Sequence, residues 1–91
     1  MNKIYKIKEG LMLREVSGNY VVVAVGKMSK EFKAVITLNE TGAFLFKKLQ
    51  ASITKEDLIK ELMNEYEIDL NTATNDVDKF IQKLEDGKLF S

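Results

Sequence analysis

One stretch constrains this chain more than any other, Ile36-Thr37-Leu38-Asn39-Glu40-Thr41-Gly42-Ala43-Phe44-Leu45-Phe46, because the side-chain period changes across it. Ile36 and Leu38 close an alternating pattern with the period of two that marks a strand, and the residues beyond follow helical spacing. Asn39 is a strong helix N-cap type, since its side-chain oxygen accepts from the free amides of a first turn. Gly42 falls inside that turn, where glycine costs about 1 kcal/mol against alanine. The cost is either tolerated or offset by close backbone packing at that point.

Ahead of the joint the pattern is β. Leu11-Met12-Leu13-Arg14-Glu15-Val16 reads as a first strand and Tyr20-Val21-Val22-Val23-Ala24-Val25 as a second. Ser17-Gly18-Asn19 between them is turn chemistry, so the pair forms a hairpin. The second strand is apolar on both faces and is expected at the centre of the sheet or covered on both sides. Gly26 to Glu31 reads as a polar connection. Phe32-Lys33-Ala34-Val35-Ile36-Thr37 is the third strand, with Phe32, Ala34, Ile36 and Leu38 on one apolar face and Lys33, Val35 and Thr37 on a mixed one. Residues 1–10 read as an extended arm that lays Tyr5 or Ile7 on the core.

Beyond the joint the pattern is helical. A first helix runs from about Glu40 to Gln50. A second follows Thr54, with Asp57 placed to complete a capping box. Asp69 caps a third, about Leu70 to Asp86, whose Leu70, Ala73, Val77, Phe80, Ile81 and Leu84 recur at spacings of three or four. Gly87 is a natural terminator, and Leu89 and Phe90 are expected to fold back. Strands segregated from helices argue for an α+β fold, with three antiparallel strands followed by three helices. Nothing divides the chain, so residues 1–91 are expected to form one domain.

Composition narrows the chemistry. The chain contains neither Cys nor His, which removes a thiolate nucleophile, a disulfide framework, the commonest general base and the commonest metal ligand. Gly18, Gly26 and Gly42 never assemble a phosphate loop. The carboxylates Glu56/Asp57, Glu65/Glu67 and Asp76/Asp78 fall on faces expected to be exposed, whereas an acid–base pair needs burial to separate its pKa values. The chain is therefore read as non-catalytic, with no cofactor and no metal. Its N-terminus lacks a signal-peptide pattern, and its longest apolar run, Tyr20 to Val25, is far short of the roughly 20 residues of a membrane span. A cytoplasmic location with no membrane partner is expected.

Formal charge is zero but unevenly placed. Residues 1–48 hold nine Lys/Arg against four Asp/Glu, and residues 49–91 hold five against ten. The asymmetry is either two solvated faces or a field able to orient a charged partner. What remains is binding. An exposed edge strand beside an amphipathic helix suits an extended peptide, whose main chain pairs with the edge while alternate side chains enter pockets. The same edge is also simply an edge, blunted by Lys30 and Lys33.

Several segments in order resemble one known family. Leu13 through Val23 resembles its opening hairpin, and Leu38-Asn39-Glu40-Thr41-Gly42-Ala43 its central signature. Thr54 through Leu62, followed by Tyr66-Glu67-Ile68-Asp69, resembles its second helix and the lead-in to its third. Asp76-Val77, Phe80, Leu84 and Gly87-Lys88-Leu89-Phe90 resemble its last helix and tail. The family is PqqD-like, the peptide chaperones also described as RiPP recognition elements. The resemblance implies a winged helix-turn-helix fold. It further implies that the chain binds the leader of a ribosomally made precursor peptide and presents it to a modifying enzyme, often a radical SAM protein. The leader would add as a strand to the third strand, beside the third helix. Carried over by position, the implied peptide-binding residues are Phe32, Lys33, Ala34, Val35, Ile36 and Thr37 on the strand and Asp76, Lys79, Phe80 and Lys83 on the helix.

Each has a plainer reading. Phe80 belongs to the core stripe, Asn39 is a cap that needs no partner, and Asp76 serves equally in a surface ion pair. Two rival functions share the fold. A winged-helix DNA-binding regulator is opposed by Asp76, Asp78, Glu85 and Asp86 on the third helix against Lys79 and Lys83, so no nucleic-acid partner is expected. A homodimer joined through its edge strands is the other.

Overall fold

The structure is a computed structural model that describes residues 3–31 and 36–91. In chain order its elements are β1 (Ile4–Tyr5), β2 (Leu11–Val16), β3 (Asn19–Ala24), α1 (Met28–Glu31), β4 (Ile36–Leu38), α2 (Glu40–Leu49), β5 (Ile53–Thr54), α3 (Lys55–Tyr66) and α4 (Leu70–Asp86). The architecture is α+β, with β2, β3 and β4 in one antiparallel sheet and β3 at its centre. Ser17 and Gly18, with φ of 51° and 81°, make the two-residue hairpin loop that the right-handed strand twist favours. Val22 points into the helical layer and is fully buried, while Val21 and Val23 are half-buried on the other face. This accounts for a strand that is apolar on both sides.

Three features depart from the simple order of three strands and three helices. Gly26 to Glu31 holds a single helical turn, α1, opened by the Ser29 hydroxyl donating to the Gly26 carbonyl. The N-terminal arm and the α2–α3 connection form a second, two-stranded sheet, with Ile4 opposite Thr54 and Tyr5 opposite Ile53. Leu70, on the same helix face as Val77, is 62% exposed. It sits in the first turn of α4, at an end that no layer among the described residues covers. The stretch Phe32 to Val35 lies outside the described residues, so of the expected third strand only the end is described.

The helix boundaries follow local chemistry. The Thr54 hydroxyl accepts from the Asp57 amide at 3.2 Å and the Asp69 carboxylate from the Thr72 amide at 2.8 Å. α4 ends at Gly87, as expected, but without the left-handed conformation usual for a glycine cap. Gly87 remains right-handed at φ −85°, and Lys88 takes the left-handed turn at φ 60° while the Leu89 amide donates to the Leu84 carbonyl. Glycine at 87 leaves space for Leu89: a β-carbon there would lie 2.6 Å from Leu89 Cδ1, and that side chain would have to shift.

The core is one cluster between the sheet and α2, α3 and α4, centred on Phe46, Leu49, Leu58, Leu62, Val77 and Leu84. The chain ends close it. Ile7 and Leu89 are both buried, the Lys8 amide donates to the Leu89 carbonyl, and the Ile7 amide donates to the Leu49 carbonyl. Tyr5 and Phe90 stack at a tilt with centroids 5.1 Å apart. The arm therefore supplies Ile7 to the core. No helix among the described residues is long and apolar enough to cross a membrane.

Acid should loosen α4 through its cap. Hydrogen bonding to the Thr72 amide holds the Asp69 carboxyl below its ordinary pKa. A carboxyl depressed on folding stabilises above its unfolded pKa and loses that contribution as pH falls through the folded one. Asp69→Asn, which can still cap, should therefore lose less stability than the wild type between neutral pH and about pH 3. Thermal melts of both proteins across that range check this.

Candidate functional site

Three elements meet where the chain passes from sheet to helix. β4 ends at Leu38, Asn39 turns the chain, and α2 starts beneath it. The Asn39 side-chain oxygen accepts from the Gly42 amide at 2.7 Å, and its carbonyl accepts from Ala43 at 2.9 Å. The cap thus fixes the direction in which α2 leaves the strand. α4 then crosses close by. A β-carbon on Gly42 would stand 3.3 Å from Leu38 Cβ, 3.3 Å from Phe80 Cε1 and 3.2 Å from Asn39 Oδ1. The glycine is a close-packing residue, which decides between the two readings its position allowed.

Beside this contact lies a groove of about 420 Å³, lined by Thr37 and Leu38 of β4, Asn39, Thr41, Gly42 and Leu45 around the start of α2, and Asp76, Lys79, Phe80 and Lys83 of α4. Its floor is apolar. Leu45 is buried and Phe80 is 8% exposed, a core residue whose ring edge also forms part of the groove. The rim is charged and exposed: Asp76, Lys79 and Lys83 fall on one face of α4 at spacings of three and four. None of the three joins an ion pair among the described residues. Asp78, on another face, accepts from Lys55 of α3, and that hydrogen bond raises the Lys55 pKa. Among the described residues, β4 has β3 as its only strand neighbour.

Of the residues carried over by position, the groove brings together Thr37, Asp76, Lys79, Phe80 and Lys83. Ile36 does not line it; its side chain points inward and reaches toward Gly87 at the far end of α4. Phe32, Lys33, Ala34 and Val35 lie outside the described residues. The α2 side of the groove, Thr41, Gly42 and Leu45, was missed. The one signal for it was the costly glycine at the joint, which marks a close approach without saying to what. The carboxylates Glu56, Asp57, Glu65 and Glu67 are exposed and stand apart from the groove.

Comparison with known proteins gives three results. A family model described as coenzyme PQQ synthesis protein D (PqqD) matches residues 11–89. Two solved structures share the fold: TbiB1 in complex with the TbiA(beta) leader peptide, at TM-score 0.73, and lasso peptide synthetase B1 complexed with the leader peptide, at TM-score 0.69. Each is 17% identical to this chain, with 94% of both chains covered. No curated protein sequence matches.

The Gly42 contact should dominate tolerance at the groove. Gly42→Leu is expected to lower unfolding free energy by about 1–3 kcal/mol, because Leu38 Cβ and the Phe80 ring cannot both withdraw. Gly42→Ala should lie near neutral, its helix gain of about 1 kcal/mol offset by crowding. Urea titration of both variants checks the order.

Proposed function

We infer a function from the premise that this chain belongs to the PqqD family: it binds the leader segment of a ribosomally made precursor peptide and holds it for a modifying enzyme. The observation that carries this reading is the groove itself, an apolar-floored channel bounded by the end strand of the sheet and by one face of α4. An extended peptide laid along β4 would satisfy the open backbone groups of that strand. Its alternate side chains would drop toward Phe80, Leu45 and Gly42 or reach the rim of α4. The two solved neighbours, both captured with leader peptides, support the reading by sharing the fold.

In this role the chain is an accessory that supplies no reacting group, acting as one domain. The modifying enzyme is read as a radical SAM protein, on the strength of the family. Binding to duplex DNA through α4 is the weaker alternative. The exposed residues Asp76, Asp78, Glu85 and Asp86 outnumber Lys79 and Lys83 there and would repel phosphate.

A calorimetric titration with the leader of a small peptide encoded beside this chain tests the reading. Thr41→Trp places an indole in the groove and is expected to weaken leader binding by at least about tenfold, a loss of 1.4 kcal/mol. Its circular dichroism melt should stay within a few degrees of the wild type. Undiminished affinity in a folded Thr41→Trp variant would remove the groove from consideration.

A further inference from the structure

We propose that the groove selects its leader by the order of charges along it: a basic residue first, and an acidic residue about two to four positions later on the same face of the added strand. This rests on strand addition along β4 and asks which leaders that edge accepts.

The direction comes from packing. Ile36 Cδ1 comes within 3.9 Å of the point a β-carbon would occupy on Gly87, just past the end of α4. Two residues later, Leu38 meets Gly42 beside the Phe80 ring, in the middle of α4. β4 therefore runs opposite to α4. It already pairs antiparallel with β3, and antiparallel pairing is the more stable per residue. A peptide added antiparallel to β4 runs in the direction of α4. It passes Asp76 first, then Lys79, then Lys83.

These three are the only charged side chains lining the groove among the described residues. At 1.5 Å rise per residue, Lys79 lies about 4.5 Å and Lys83 about 10.5 Å beyond Asp76 along the helix. Same-face residues of an extended peptide recur about every 6.6 Å, so an acidic side chain two or four positions after a basic one stands opposite the lysine pair. Charges at an exposed rim contribute little affinity individually, but a wrong order sets like charges together at both ends.

The test uses three labelled, Thr- and Val-rich host peptides and fluorescence anisotropy on the full chain. One carries lysine followed on the same face by glutamate, one carries the two reversed, and one carries glutamine at both positions. The lysine-first peptide is expected to bind about fivefold tighter than the reversed one, with the gap closing at high salt. The variant Asp76→Lys/Lys79→Glu/Lys83→Glu, its fold verified by circular dichroism, should invert the order. Equal affinity of all three peptides overturns charge selection and leaves strand addition standing. Tighter binding of the reversed peptide overturns the assigned direction. Failure of all three to bind overturns strand addition at this groove and the charge reading with it.

Discussion

The contact among Leu38, Gly42 and Phe80 is the constraint on which the rest of the arrangement depends. It joins the last residue of the sheet, the first turn of one helix and the middle of another at separations that would admit a β-carbon only if a neighbour gave way by a few tenths of an ångström. Interiors pack at crystal-like density, so a contact this close fixes the relative positions of the three elements and does not merely permit them. The groove is what remains beside it. Its floor is apolar because Phe80 and Leu45 are core residues seen from outside. Its rim is charged because the next positions around α4 face solvent.

Asn39 couples this packing to local backbone chemistry. One side chain caps α2 through the Gly42 amide and stands against the point where a Gly42 β-carbon would project. The same residue thus ends the strand, starts the helix and bounds the groove. Its structural role and its place at the site are one fact. Asp76 divides differently. Asp78 holds the ion pair with Lys55, which leaves Asp76 on the groove side of α4.

The chain ends show how a short sequence completes its core. Ile7 and Leu89 are adjacent neither in sequence nor in any repeating pattern, yet both are fully or nearly fully buried and their segments are hydrogen-bonded to each other. Lys88 accepts a left-handed backbone so that Leu89 can turn under the helix end. Glycine one residue earlier provides the space that leucine needs.

Residue order alone determined the β-then-α layout, the hairpin at Ser17-Gly18, the three helix caps at Asn39, Thr54 and Asp69, and nearly the whole apolar stripe of α4. Each depends on interactions within a few residues: turn geometry, side chain to nearby amide, or the period of a face. The resemblance to a family then placed Thr37, Asp76, Lys79, Phe80 and Lys83 near one another. Tertiary structure decided what spans long separations. It put the arm of residues 4–5 against Ile53 and Thr54, exposed Leu70 at an uncovered end, and turned Ile36 away from the groove. It also made Thr41, Gly42 and Leu45 the third wall of that groove. A glycine in a first helical turn announces that something comes close; only the crossing of α4 over α2, set by packing between residues 38 positions apart, decides that it is Phe80.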